Sequence, residues 1–130
     1  AEMYEWSAVF TPGYGLPDDW LEGVYHVSCA VGWELPVRNY LGLLDGEPVA
    51  TSSLVPGAGV AGVYNVATLP AARGRGIGAA MTLAALEHGR SLGYRIGVLQ
   101  SSAQGHSVYK RMGFTEVCKI DCFIGHAPVG

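Results

Sequence analysis

Between Glu47 and Glu87 the chain has no acidic residue, and from position 48 to 72 it has no charge of either sign. So long an uncharged stretch invites a membrane reading. Pro48, Pro56 and Pro70, with Gly57, Gly59 and Gly62 among them, make it a poor spanning helix. It reads instead as two buried strands joined by a turn, and no membrane partner is expected. Cysteine is scarce: Cys29, Cys118 and Cys122 are too few and too irregular for a disulfide framework, which makes a reducing cytoplasm the default. Cys118, Cys122 and His126 share a four-residue spacing, but structural zinc sites favour tighter cysteine pairs. The cysteines therefore read as buried apolar thiols, with no metal. Basic residues are also few, 8 against 11 acids, and form no stripe, which argues against nucleic acid. There is no internal repeat, no low-complexity tract and no basic, apolar leader at the N-terminus. The first residue is Ala1 rather than Met, as expected of a processed chain or a piece of a longer protein.

What is present suits one globular domain: 130 residues, 49% hydrophobic, with 19 glycines to supply turns and close backbone approaches. Charge is segregated. Residues 1–47 hold eight acids against Arg38 alone, and residues 48–130 hold three acids against seven Lys and Arg. The second half suits a polyanionic ligand, and the first is a candidate surface for a cationic one.

Alternation of Tyr4, Trp6, Ala8 and Phe10 with Glu5, Ser7 and Val9 predicts a short first strand. Pro17, Asp18 and Asp19 start a helix that Gly32 stops, and Trp20, Val24, Val27 and Val31 give it one buried stripe. Residues 39–44 and 47–55 form a hairpin about Asp45-Gly46, and Pro56-Gly57-Ala58-Gly59 turns the chain into a strand over 60–69. A helix is predicted from 77 to about 92, stopped by Gly93, then a strand over 95–101, a short helix over 107–112 and one or two strands over 115–125. The order gives an α+β fold with a mixed, mostly antiparallel sheet and flanking helices.

The most informative segment lies between strand and helix: Pro70-Ala-Ala-Arg73-Gly74-Arg75-Gly76-Ile77-Gly78-Ala79. Glycines at every second position let backbone N–H groups converge on one point, and the following helix adds unpaired donors and the positive end of its dipole. The assembly is a cradle for a diphosphate. Read as G-x-G-x-x-A it meets the dinucleotide fingerprint, but Pro70–Arg73 separates strand from glycine, and the next strand ends without the acid that would hold a ribose. A P-loop would need Lys-Ser/Thr where Ala79-Ala80 stands.

Arg73-x-x-Gly76-x-Gly78 resembles the Q/R-x-x-G-x-G/A pyrophosphate loop of the GNAT superfamily of acyl-CoA-dependent N-acyltransferases. About thirty residues on, Val108-Tyr109-Lys110-Arg111-Met112-Gly113-Phe114 is similar to that family's second motif, and the likeness spans roughly residues 40–117. The resemblance implies one GNAT-like domain over 1–130, with 1–38 on the acceptor side and 39–130 as the acyl-CoA-binding core. It implies an enzyme, an N-acetyltransferase that passes the acetyl group of acetyl-CoA to a primary amine by direct attack. The acceptor is a small-molecule amine or an amine of a peptide or protein, and a homodimer or tandem domain fits the pattern. Arg73, Gly74, Arg75, Gly76, Ile77, Gly78 and Ala79 would ring the pyrophosphate, mainly through backbone N–H. Val66, Ala67 and Thr68 would pair with the pantetheine arm like an added strand, and one N–H there would face the carbonyl oxygen. Tyr109 matches the acid that protonates the departing thiolate. Ser102, seven residues before it, stands where many members carry Asn, and would still bond the cofactor.

Besides Ser102, the pattern departs from the family at a second point: the carboxylate many members carry on the strand before the loop is missing. An amine of pKa about 10.4 is deprotonated in only about 1 molecule in 2,500 at pH 7, equivalent to about 4.6 kcal/mol. Glu34, Asp45, His26, His106 or a chain of waters could take the proton, and the sequence does not choose among them. The gap also admits an alternative function, a non-catalytic CoA-binding or regulatory domain of a larger protein. His106 and Cys29 lack a neighbouring Asn or Asp for a nucleophile mechanism, and direct transfer requires no covalent intermediate.

Overall fold

Two tight turns with positive φ organise the centre of the computed structural model, which describes residues 1–31, 36–123 and 125. Asp45-Gly46 (φ 52° and 84°) joins strand β1 (Arg38–Leu44) to β2 (Glu47–Gly57). Ala58-Gly59 (φ 50° and 78°) joins β2 to β3 (Val60–Thr68). Both pairs have the geometry that matches the twist of antiparallel hairpins. A short β4 (Gly97–Leu99) lies parallel to β3, so the sheet runs β1-β2-β3-β4 and is mixed, mostly antiparallel. The fold class expected from the sequence is thus the one observed.

The chain divides into two compact units, Ala1–Leu99 and the remainder from Gln100. The first holds the sheet with helices α1 (Glu2–Gly13), α2 (Leu21–Val31) and α3 (Ile77–Ser91). The second holds α4 (His106–Arg111). Within the first unit the pleat of β2 separates two environments. Ser52 and Leu54 face α3: the Ser52 hydroxyl donates to Met81 O (3.0 Å), and Leu54 joins Ala61, Val63 and Ala85 in a dry cluster. Thr51 and Ser53 point to the other face. There Trp6 and Phe10 of α1 pack with Ala67 of β3 in a second cluster. Helix α3 is further tied to β1 by a hydrogen bond between the Tyr40 hydroxyl and His88 Nδ1. Burial raises the Tyr40 phenol above its ordinary range, with Arg38 pulling the other way.

Four expectations need correction. The first segment is not a strand but α1. Its buried residues Trp6, Val9, Phe10 and Gly13 recur at helical spacing, and the Trp6 and Phe10 rings stack at 5.0 Å one turn apart. Alternation and helical period coexist over 4–10, and packing on Ala67 selects the helix. Helix α2 forms after a single 3-10 turn at Asp18–Trp20, yet buries none of its residues. Val27 is 64% exposed, and of the expected stripe only Val24 packs against a buried cluster. Strand β4 is only three residues long, and residues 115–123 form no strand. Cys118 and Cys122 are exposed and Cys29 half-buried, so none is a core thiol. Gly32, the expected helix stop, lies outside the described residues, as do Glu34 and His126.

Candidate functional site

Strand β3 leaves the sheet through Leu69 into a 3-10 turn, Pro70–Ala72, whose Ala72 is buried. Arg73 is extended, and Gly74 and Gly76 then adopt left-handed φ of 79° and 74°, Gly76 serving as the N-cap of α3. That conformation belongs to glycine. No side chain caps the helix, and the first intrahelical bond runs from Ala80 N to Gly76 O (3.1 Å). The first-turn N–H groups are therefore left without an intrahelical or side-chain partner. A Cβ built on Gly74 or Gly76 meets nothing within 4 Å, and one on Gly78 meets only Thr68 Oγ1 and Val66 Cγ1 at 3.9 and 4.0 Å. The space over the loop is open, which fits a cradle for a diphosphate. Arg73 anchors it: Nε donates to Thr68 O (3.1 Å) and Nη2 to Gly13 O (3.0 Å), pinning the loop to the ends of β3 and α1. Its guanidinium thus holds the backbone in place, while Arg75 is exposed on the turn.

The end of β3 offers an edge. Its ladder with β4 stops at Val63↔Leu99, five residues short of Thr68, while the ladder with β2 continues to Ala50↔Thr68. Val66, Ala67 and Thr68 lie in that segment, half-buried, buried and half-buried. Just before them the strand bulges. Thr51 pairs with Ala67 but Ser53 pairs with Tyr64, and Asn65 takes φ 55°. Bulges re-aim side chains and concentrate at functional edges. This one is held by a polar chain in which Thr51 Oγ1 donates to Asn65 O (2.8 Å), Asn65 Nδ2 to Ser53 Oγ (3.1 Å) and Ser53 Oγ to Asn39 Oδ1 (2.6 Å). The uncharged run Thr51-Ser52-Ser53 is fully buried, and its hydroxyls are all satisfied this way.

On the same face of the sheet lies a cavity of about 670 Å³. Trp6 and Phe10 of α1 and Trp20, Val24, Val27 and Val31 from the α2 segment supply its apolar wall. Asn39 and Asn65 line the sheet side, and Asp19 is the one charged residue among the described lining. The stripe on α2 was legible in the sequence. That it lines a cavity was not, nor were Asn65, which looks like any strand asparagine, and Asp19, which reads as a helix-start acid.

In the second unit Tyr109 sits half-buried on α4, its ring edge-on to Phe114 at 6.0 Å. Its N–H donates to Gly105 O and its carbonyl accepts from Phe114 N, both at 3.1 Å. Ser102 is exposed, and its hydroxyl accepts the Gly105 N–H (3.2 Å), so it caps the turn leading into α4. Of the residues considered as proton acceptors, His26 is an exposed neighbour of Glu22 on α2, Asp45 sits on the hairpin tip and His106 pairs with Glu116 at 3.1 Å. None of them lines the cavity. No cluster of three metal-ligating side chains, and no helix long and apolar enough to cross a membrane, occurs among the described residues.

Comparison with known proteins agrees on one family. The sequence profile described as "Acetyltransferase (GNAT) family" matches residues 1–114. The chain is 26% identical over 120 residues to the uncharacterized N-acetyltransferase YjgM of Escherichia coli K12, covering 87% of this chain and 70% of that protein. The aminoglycoside N-acetyltransferase AAC(6')-Iy, solved with a CoA-containing bisubstrate analogue, superposes with a TM-score of 0.72 at 16% identity, covering 97% of this chain and 92% of the other. A protein of Clostridium acetobutylicum described as a predicted acetyltransferase, solved with acetyl-CoA, gives 0.67 at 17% identity, covering 95% and 92%. At such identities the structural likeness speaks for the fold.

Proposed function

The chain belongs to the GNAT acetyltransferase family, and from that premise we propose that it transfers the acetyl group of acetyl-CoA to a primary amine by direct attack. The observation that carries this reading is the glycine turn at the head of α3, which is left-handed at Gly74 and Gly76, open above Gly78 and anchored by Arg73. Backbone N–H groups of residues 74–79 would hold the pyrophosphate, with Arg75 adding charge. The side of β3 away from β2, beyond the end of its ladder with β4, would take the pantetheine arm at Val66, Ala67 and Thr68 as an added strand. Acetyl-CoA bound there would supply an activated thioester.

Two proton tasks remain for the chain. Tyr109 is the proposed acid for the thiolate. A phenol of ordinary pKa about 10 can protonate a thiolate whose conjugate acid lies near about 8.5 when held close to it. Ser102 is proposed as a supporting hydrogen-bond group toward CoA. For the amine, the described residues put one carboxylate on the cavity, Asp19, and its exposure suits removal of the proton through water. We take residues 1–130 to act as one acetyltransferase domain, alone, as a homodimer or within a longer chain.

The absence of any acid from 48 to 86 keeps a second reading, a domain that binds CoA without turnover. Two measurements separate them. Acetyl-CoA at tens of micromolar should raise the melting temperature, while NAD and ATP leave it flat. Stabilisation by NAD alone would overturn the diphosphate assignment. Release of CoA thiol on adding a panel of primary amines supports transfer, and stabilisation without any amine-dependent thiol establishes the binding reading instead.

A further inference from the structure

The cavity beside the Asn65 bulge has a composition that restricts what can occupy it. Its volume of about 670 Å³ lies within the range of small-molecule pockets. Its helical wall is built from two tryptophans, a phenylalanine and three valines, and Asp19 is the one charge in the described lining. A polycationic guest would lose hydration against that wall and find a single carboxylate in return. The wall is also incomplete. Trp20 and Val27 are 55% and 64% exposed although they face a cavity, and Trp6, itself buried, has an indole N–H without an acceptor among the described residues. Exposed apolar surface of this kind marks a binding wall, and the buried indole N–H would be met by the face of an aromatic ring or by a polar atom. The sheet side is polar but neutral. The chain of bonds through Ser53 commits Asn65 Nδ2 and leaves Asn65 Oδ1 uncommitted among the described residues. That oxygen can accept from one ammonium or amine N–H. Asn65 also immediately precedes the Val66–Thr68 edge, so the polar end of the cavity and the thioester end of the cradle share one strand.

We propose that this cavity selects a primary amine carried on a compact apolar body, an arylalkyl or branched alkyl group, and discriminates against polyamines and other polycations. The body lies against Trp6, Trp20 and Val27, and the nitrogen is held by Asn65 Oδ1 with Asp19 supplying the only full counter-charge. The proposal rests on the acetyl-transfer reading for the fate of the amine, but its recognition step does not.

Trp6 and Trp20 report the cavity directly, so binding can be read from tryptophan emission without turnover. With unreactive CoA present, 2-phenylethylamine should change the emission saturably, and spermidine at the same concentration should not. Val27→Lys, at an exposed position that the fold tolerates, should weaken the 2-phenylethylamine response by about tenfold or more, by replacing apolar wall with a hydrated cation of the guest's own sign. It should leave the thermal shift with acetyl-CoA intact. Binding of spermidine as tight as that of 2-phenylethylamine, or a response indifferent to Val27→Lys, overturns the proposal. So does stabilisation by acetyl-CoA with no response to 2-phenylethylamine, which leaves acetyl transfer standing. Saturable 2-phenylethylamine binding without CoA release from acetyl-CoA supports the cavity assignment and counts against transfer, so the two failures are distinguishable.

Discussion

Glycines at the two ends of α3 do different work, and single substitutions tell them apart. A methyl group on Gly78 would meet nothing closer than 3.9 Å, and α3 is already helical there. Gly78→Ala should therefore fold with unchanged or slightly higher stability and yet weaken acetyl-CoA binding, because the added Cβ occupies the approach to the first-turn N–H groups. Calorimetry on the folded variant checks it, and unchanged affinity would remove Gly78 from the cradle. Gly76→Ala differs in that it must force φ 74° on a residue with a side chain, so about 1 kcal/mol of stability should go with the affinity. Tyr109 is tested by Tyr109→Phe, which keeps the edge-on contact with Phe114 and removes only the hydroxyl. A fall of about 10²-fold in kcat with acetyl-CoA affinity nearly kept is expected of a positioned acid, along with loss of the alkaline limb of the pH–rate profile. Turnover within about threefold of wild type would make Tyr109 a packing residue. Both motifs were visible in the sequence because residue type alone carries them. The roles of the two arginines were not, since only the fold brings Gly13 O within 3.0 Å of Arg73.

At the scale of elements, helix α3 shows how a small-residue face fixes the position of a helix on the sheet. A Cβ on Gly89 would lie 2.8 Å from Ala61 Cβ and 3.4 Å from Leu54 Cδ1, so the C-terminal half of α3 sits directly on β2 and β3. Gly89→Ala improves helix propensity by about 1 kcal/mol, but the overpacking should outweigh it and cost about 1–3 kcal/mol net of fold stability. A lower denaturant midpoint at unchanged slope is the expected result, and a rise would mean that the helix can shift freely on the sheet. Strand β3 carries the other element-scale device. Its pairing with β4 ends at Val63, and its bulge at Asn65 is held by buried hydroxyls of β2. The uncharged run 48–69 announced buried strands correctly. It could not announce the bulge, because a bulge is a mismatch in length between two strands, and one strand's sequence does not contain it.

For the molecule as a whole, charge and family point the same way. Seven of the eight basic residues fall after position 47, in the half that carries the glycine turn, and eight of the eleven acids fall before position 48. The profile match over 1–114 extends the family likeness through the N-terminal helices, which carried no quotable motif. Local residue pattern determined the hairpins, α3, the glycine loop before it and the motif around Tyr109, since turn glycines, periodicity and helix-capping signals act over a few neighbouring residues. Tertiary structure decided what depends on distant partners. Residues 4–10 are a helix because Trp6 and Phe10 find Ala67 on β3, 61 and 57 positions further along the chain, rather than a sheet edge. The valine stripe of α2 lines a cavity instead of a core because only Val24 packs against the buried Trp6–Phe10–Ala67 cluster, while Val27 and Val31 remain exposed. Both outcomes turn on which surfaces meet, and hydrophobic burial is non-directional: it says that an apolar face will be covered, and leaves to the assembled fold the choice of what covers it.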